Sequence, residues 1–317
     1  RTGALIGSAS VGQPGILIIG HMDTVHPIGT LEYLPFKREA DICYGPGICD
    51  MKGGNYLALE AVRQLQKNGL ETPLPISVLF TSDEEIGSPY TRQLIEFEAA
   101  QAKVVLVPEP ARKNNGVVSG RYAIARYDVT TSGRPSHAGS KLEEGRSAIK
   151  QMAKNILNIE AMTTKECTFS VGVMEAGKWV NCVSANARAE VLSMAKDQQD
   201  LDHGIKKMLE FNDNIADVKT NVKVASTRPV WEANAATKKL VKITKSLAKD
   251  LGTTSYNESS GGGSDGNFTG AMGIPTLDGL GVAGDKYHTL EEYIEIQSLS
   301  MRGKLMAGLL MAIEKSF

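Results

Sequence analysis

The sequence predicts an α/β protein interrupted by an α+β insertion, and three observations carry that prediction. Short apolar strands alternate with amphipathic helices over the first third of the 317 residues. Between 118 and 227 the order changes to β-α-β-β-α-β, the ferredoxin-like unit. Strand–helix alternation then resumes, so residues 1–117 and 228–317 belong to one discontinuous domain and 118–227 to an inserted one.

The elements follow in order. "GILIIG" (15–20) is a short apolar strand ending at His21. Residues 55–68 place Ala58, Ala61, Val62 and Leu65 at i, i+3, i+4 and i+7, with Asn68-Gly69 as a C-terminal stop. "PISVLF" is the next strand, a helix follows near 90–101, and "KVVLV" (103–107) is another strand. Short apolar strands separated by such helices mean a sheet covered on both faces. In the insertion, a strand-pair region (120–131) precedes a helix with Ile149, Met152, Ala153, Ile156 and Leu157 on one face. "TFSVGV" and "NARAEVLSMA" are two strands, a helix with Leu201, Ile205, Met208 and Leu209 follows, and "VKTNVKVAS" closes the unit. Leu240, Ile243, Thr244 and Leu247 mark a helix stopped by Gly252. A glycine-rich loop, a strand in "GIPTLDGLG" and a helix running to Phe317 complete the chain.

Composition narrows the function. The chain is 42% hydrophobic and 22% charged, normal for a globular protein with a sizeable core. A net charge of -1 argues against a general nucleic-acid or anionic-membrane binder. No apolar run reaches the ~20 residues of a membrane-spanning helix. Cys43, Cys49, Cys167 and Cys182 lack CxxC spacing and are too few for a disulfide scaffold. Reduced thiols in a cytoplasmic protein are expected, with the periplasm as the alternative. The chain opens on Arg1, close to a core strand and without an initiator Met, and reads as a fragment of a longer chain.

Chemistry gathers at strand ends. "HMD" (His21, Asp23) follows the first strand, "DEE" (83–85) the second, and "PEP", with Glu109, the third. "KYHT", with His288, lies downstream of "TLDGLG", and Asp50 sits in the glycine-rich "GPGICDMKGG". Ligands of parallel α/β sheets collect beyond the carboxyl ends of strands. Two histidines and several carboxylates without thiolate suit zinc or its neighbours. A divalent cation also explains three adjacent acids after a buried strand, because it favours their ionised forms.

Each residue also has a plainer reading. Asp83, Glu84 and Glu85 could be a solvated helix start, Glu109 a rigid turn between prolines, and glycines 261–263 a flexible connector. His26, in a loop before Pro27, and His203, in a polar helix start, read as ordinary. "GPGICDMKGG" and "GGGSDG" lack the spacing of nucleotide-phosphate loops, which sets a nucleotide-binding enzyme aside. A non-catalytic binding protein would show a broken ligand set, and here every member is present.

"HMDTV", "GPGICDMKGG", "TSDEEIGS", "PEP" and "YHT", in this order, resemble the M20 dinuclear zinc peptidases, and most of all glutamate carboxypeptidases of the carboxypeptidase G2 type. The resemblance implies a mixed-sheet zinc peptidase catalytic domain with an inserted dimerisation or lid domain, and a homodimer through 118–227. It implies two Zn2+ per subunit, with Co2+ or Mn2+ as alternatives, and a small peptide or N-acyl amino acid substrate. Asp50 would bridge the metals, His21 and Glu109 completing one site and Glu85 and His288 the other. Asp23 would orient His21. Glu84 would be the general base that moves a proton from the attacking water to the leaving amine. In "SGRPSHAG", His137 would reach across a dimer to stabilise an oxyanion. Gly262, Gly263 and Ser264 of "GGGSDG" would contact substrate, with Asn181. Where the family reads Asn-x-x-Pro this chain has "NCVS", and Leu192 stands where an arginine would be expected. A substrate-carboxylate clamp is therefore weakened or moved to Arg228, which leaves glutamate preference open.

Overall fold

The computed structural model describes residues 3–6, 14–314 and 317. In chain order its elements are β1 (Gly3–Ile6), β2 (Gly15–His21), β3 (Lys37–Glu39), β4 (Ile42–Tyr44), α1 (Gly53–Lys67), β5 (Ile76–Thr81), α2 (Arg92–Ala99), β6 (Ala102–Leu106) and β7 (Val117–Arg121). They continue with β8 (Ala123–Ser132), α3 (Ala148–Ala161), β9 (Cys167–Ala176), β10 (Asn186–Ala195), α4 (Gln198–Leu209), β11 (Asp213–Ile215) and β12 (Val218–Arg228). The last group is α5 (Ala235–Asp250), β13 (Asn257–Ser260), α6 (Gly266–Ala271), β14 (Thr276–Leu277), β15 (Gly284–Asp285), β16 (Tyr293–Glu295) and α7 (Ile296–Ala312). Among the described residues no helix is long and apolar enough to cross a membrane. Two compact units result, Arg1–Arg121 with Trp231–Phe317, and Tyr122–Val230.

The discontinuous unit is built on a mixed sheet ordered β1-β5-β2-β6-β14, parallel except for β1. Successive residues of a strand point to opposite faces. Ile16 and Ile18 of β2 accordingly pack with Leu57, Ala61 and Leu65 of α1 and with α7, whereas Leu17 and Ile19 pack with Ile95 of α2 and Phe268 of α6. Burying such a side chain contributes about 1.5–3 kcal/mol, and with both faces covered the carboxyl ends of β2, β5 and β6 are held at fixed positions. A smaller antiparallel sheet, β15-β16-β4-β3, carries the segments around Asp50 and His288, and β7 pairs with β13. The strand expected across "GIPTLDGLG" is only Thr276–Leu277, because Gly279 turns the chain at a φ of +68°. The final helix stops at Ala312, short of Phe317.

The inserted unit is an antiparallel sheet ordered β11-β12-β8-β10-β9, with α3 and α4 packed in its core. Apart from β11, that is the ferredoxin-like strand order. β11 is an addition: Ala216 and Asp217, at φ of +49° and +60°, turn it back onto the start of β12. The boundaries fall at Arg121/Tyr122 and Val230/Trp231 rather than 117/118 and 227/228. β7 belongs to the discontinuous unit through its ladder to β13, and Arg121 and Trp231 exchange backbone hydrogen bonds.

The buried face of α3 differs from the expected one. Ala148, Gln151, Met152, Asn155 and Ile159 face inward, and Ile149 and Leu157 are exposed. The inward polar groups are satisfied: Gln151 donates to Asn155 (2.9 Å), and Asn155 to Thr220 of β12 (3.1 Å). A buried polar pair with complete hydrogen bonds can displace apolar residues from a helix's inner face. Hydrophobic spacing alone could not reveal this.

Candidate metal centre

Five chain segments deliver the site. β2 ends at His21, whose carbonyl accepts a hydrogen bond from the Asn55 side chain of α1 (2.7 Å). β5 ends at Thr81, with only Ser82 between it and "DEE", and β6 leads through Pro108 to Glu109. Asp50 lies in the tight turn before α1, and the Asp50–Met51 peptide is cis. His288 stands in the loop between β15 and β16 with φ of +66°, a backbone region that non-glycine residues rarely occupy.

These residues converge. His21 Nε2 lies 3.2 Å from Asp50 Oδ1 and 3.7 Å from Glu109 Oε1. On the other side, His288 Nε2 lies 3.2 Å from Asp50 Oδ2 and 3.5 Å from Glu85 Oε2. Each oxygen of one aspartate thus faces a different histidine, and each histidine faces one further carboxylate. Ligand atoms of His21, Asp50 and Glu85 all lie within 4.8 Å of one another. Asp23 backs the cluster. Its carbonyl is 2.9 Å from His21 Nδ1, and its Oδ2 accepts the Glu85 N–H at 3.0 Å. With Nδ1–H donating to Asp23, the tautomer leaves the Nε2 lone pair facing Asp50 and Glu109.

The electrostatics call for positive charge at the centre. Burial disfavours a charged His21, yet Asp23 and Asp50, with Glu109 and Glu84, outweigh it and hold the ring well above the imidazole range. Burial pushes Glu109 well above the carboxylate range, and Asp50 adds to it. Burial, then Asp50 and Glu84, push Glu85 up to about 7. Burial also opposes ionisation of Asp50, but hydrogen bonds from His21 and His288 hold it below its ordinary value. His288 is raised, chiefly by its hydrogen bond to Asp50. Protons satisfy this cluster only partly, because Glu85 Oε1 is buried without a hydrogen-bond partner among the described residues. Two imidazole nitrogens among four convergent carboxylate oxygens fit a borderline divalent cation. Cys49, next to Asp50, takes no part: burial pushes its thiol far up, so it stays protonated.

The three acids of "DEE" have separate surroundings. Asp83 accepts the N–H groups of Tyr90 (2.8 Å) and Thr91 (3.1 Å) and the Thr91 hydroxyl, fixing the approach to α2. Glu84 is buried, and its charge acts on His21, Glu85 and Glu109. Glu85 faces His288. In the glycine-rich loop, Arg121 donates to the carbonyls of Gly262 (2.8 Å) and Gly263 (3.1 Å) and pairs with Asp278 (2.7 Å). Ser264 is fully buried, its hydroxyl donating to Asp278 and its N–H to Asn267. In the inserted unit, His137 and Asn181 line one open groove of about 370 Å³ with Trp179 and Cys182. His137 Nδ1 accepts from Gly139 and Ser140 N–H (3.1 Å each), which leaves Nε2–H as an outward donor. Arg228 is buried at the end of β12. Sequence reasoning missed Arg121, Asp278 and Glu292, and treated His26 as an ordinary loop residue. In the structure His26 Nε2 lies 2.8 Å from the buried Glu292 carboxylate. No periodicity or motif marks a lone buried charge, so no sequence signal could have found these four.

A mixed α/β core with histidines and carboxylates gathered beyond its strand ends defines a metal-dependent hydrolase fold, and sequence comparison agrees. The model of peptidase family M20/M25/M40 matches residues 17–312. Carboxypeptidase G2 of Pseudomonas sp. (strain RS-16) is 34% identical over 308 residues, covering 95% of this chain and 74% of that protein. Succinyl-diaminopimelate desuccinylase of Helicobacter pylori (strain Shi470) is 24% identical over 312 residues, 92% of this chain and 78% of that one. Among solved structures, human carnosine dipeptidase 1 superposes with a TM-score of 0.76 at 14% identity, covering 98% of this chain and 82% of that chain. The chain belongs to peptidase family M20/M25/M40 and is a metal-dependent peptidase or amidohydrolase.

Proposed function

We propose that this chain hydrolyses a peptide or N-acyl amide bond next to a free C-terminal carboxylate, using two zinc ions per subunit for which cobalt or manganese can substitute. The observation that carries the reading is the division of Asp50, one oxygen toward His21 and Glu109 and the other toward His288 and Glu85. When bound, the cations supply Lewis acidity, polarising the amide carbonyl and easing the ionisation of water. His21 with Glu109 would hold one cation and His288 with Glu85 the other, Asp50 would serve both, and Asp23 keeps Nδ1 of His21 protonated and its ring in place. Glu84 takes a proton from the attacking water and returns it to the leaving nitrogen. His137 supplies, across the proposed homodimer, an N–H donor for the oxyanion developing in the other subunit's site, worth about 3–4 kcal/mol where such a donor is well aimed. Asn181, Arg228, Gly262, Gly263 and Ser264 are the substrate residues. For Ser264, with its own polar groups engaged inside the loop, the contribution is to the loop's shape.

Glutamate carboxypeptidase-like activity is supported by the match to carboxypeptidase G2. Deacylation of an N-acyl amino acid, or dipeptide cleavage, is the second reading. It is favoured by Leu192, which stands where an arginine of a glutamate-binding strand was expected, and by the desuccinylase and dipeptidase relatives. A homodimer through the inserted unit is supported by β9, an edge strand whose Val173 and Met174 are exposed, and by Leu157 and Trp179 nearby in sequence. We also infer a cytoplasmic setting, from four cysteines without disulfide spacing.

The test is turnover of N-acyl glutamates, other N-acyl amino acids and dipeptides by the cobalt- or zinc-loaded chain. Glu84→Gln should bind metal as before and lose about 10²–10⁴-fold in kcat. Equal turnover by Glu84→Gln would remove it as the proton carrier. No turnover on any amide, with two metals bound, would sink the reaction class.

A further inference from the structure

Glu292 immediately precedes β16, only 1% exposed, and its side chain serves chiefly one loop. Oε1 accepts the N–H groups of Cys49 (2.8 Å) and Asp50 (3.0 Å). Oε2 accepts the N–H of Gly47 (2.7 Å) and faces Nε2 of His26 at 2.8 Å. Four donors therefore surround one carboxylate, three of them from the four residues that end at Asp50.

That loop holds itself only in part, through Ile48 N–H to the Gly45 carbonyl (3.2 Å) and Lys52 N–H to the Gly47 carbonyl (3.0 Å). Gly47 has a φ of +67°, and Asp50 (φ -112°, ψ 94°) and Met51 (φ -130°, ψ 34°) depart from helical geometry. The N–H groups of Cys49 and Asp50 thus need partners from elsewhere, because a buried donor left without one is destabilising. Glu292 provides them, and so sets where the Asp50 backbone sits and which way its side chain leaves it. The same acid follows His288 by four residues. Its carbonyl accepts the Gly45 N–H (3.3 Å), and the next residue, Tyr293, pairs with Tyr44 in the β16–β4 ladder. The loops bearing Asp50 and His288 are thereby fixed to one frame.

We propose that Glu292, held in place by His26, is a positioning residue for the metal centre: it fixes the Asp50 backbone so that the two carboxylate oxygens address His21 and His288 at once. The inference rests on the two-metal reading above. It differs from a purely structural role in its readout. A structural acid supports the metal-free fold, whereas a positioning acid changes how tightly, and in what geometry, the folded chain holds metal.

The experiment is a cobalt titration of the metal-stripped chain, followed by visible absorption and by competition with a chelator, alongside urea unfolding without metal. Glu292→Gln places an amide N–H₂ where an oxygen accepted, and should weaken cobalt binding about 10–100-fold, with an altered cobalt spectrum. If that variant does not fold, the His26 pair decides. His26→Leu removes one donor and should weaken binding by about tenfold, whereas His26→Gln, whose amide can still donate to Glu292, should recover most of the loss. Unchanged cobalt affinity and spectrum in Glu292→Gln overturns the proposal. So does equal binding by the two His26 variants. An intact chain that takes up no cobalt overturns this proposal and the metal reading together, whereas uptake by the intact chain with no effect of the substitutions sinks this proposal alone.

Discussion

His21, Glu85 and His288 show how burial and crowding bind protons where cations belong. In the metal-stripped protein, Glu85 is pushed up to about 7, and the two histidines sit above their ordinary values. A group whose folded pKa lies above its unfolded one holds more protons when folded, so its stability contribution falls as pH rises through that window. The stripped chain should therefore lose stability from about pH 5 to pH 8, with the urea midpoint moving steadily down. Asp50 and Asp23 shift the other way, but their titration lies at lower pH and leaves this window untouched. Saturating zinc or cobalt should flatten the slope, because the metal replaces the protons and binds better as they leave. A stripped chain more stable at pH 8 than at pH 6 would contradict this account.

At the scale of elements, α1 meets the strand end that carries Glu109 with no room to spare. A Cβ placed on Gly54 would lie 1.8 Å from the Pro108 carbonyl oxygen, and one on Gly53 would lie 2.7 Å from the Ile48 oxygen. Glycine is required here for close approach. Gly54→Ala must push α1 away from Pro108, costing about 1–3 kcal/mol as overpacking does. Displacing Glu109 by even ~1 Å should lower turnover by about 10²-fold. Urea unfolding and steady-state kinetics would measure the two effects. Wild-type activity in Gly54→Ala would mean that Glu109 does not need this contact.

For the whole molecule, the inserted unit is one contiguous stretch with its own core, and it turns apolar side chains outward. Leu157 is 72% exposed and Met174 45%. Exposed apolar residues beside an edge strand suit the homodimer proposed through this unit. The double variant Leu157→Asp, Met174→Lys should raise the dimer dissociation constant at least about tenfold, equivalent to about 1.4 kcal/mol. Sedimentation velocity would follow it, and metal content should not change. A dimer equally stable in the variant would move the interface elsewhere.

Local chemistry along the chain determined much of this protein. Strand–helix alternation defined the sheet, because burial on both faces demands continuous apolar strands. The β-α-β-β-α-β order marked the insertion, and acids and histidines placed after strands pointed to one rim, because strand ends are where a parallel sheet leaves space. Tertiary structure alone decided the rest. It turned α3 so that Gln151 and Asn155 face inward, made Asp83 the acceptor that fixes the approach to α2, and drew His26 and Glu292 together from opposite ends of the chain. The reason is physical: apolar burial leaves a periodic trace along the sequence, whereas a buried charge is stable only through partners that folding brings to it.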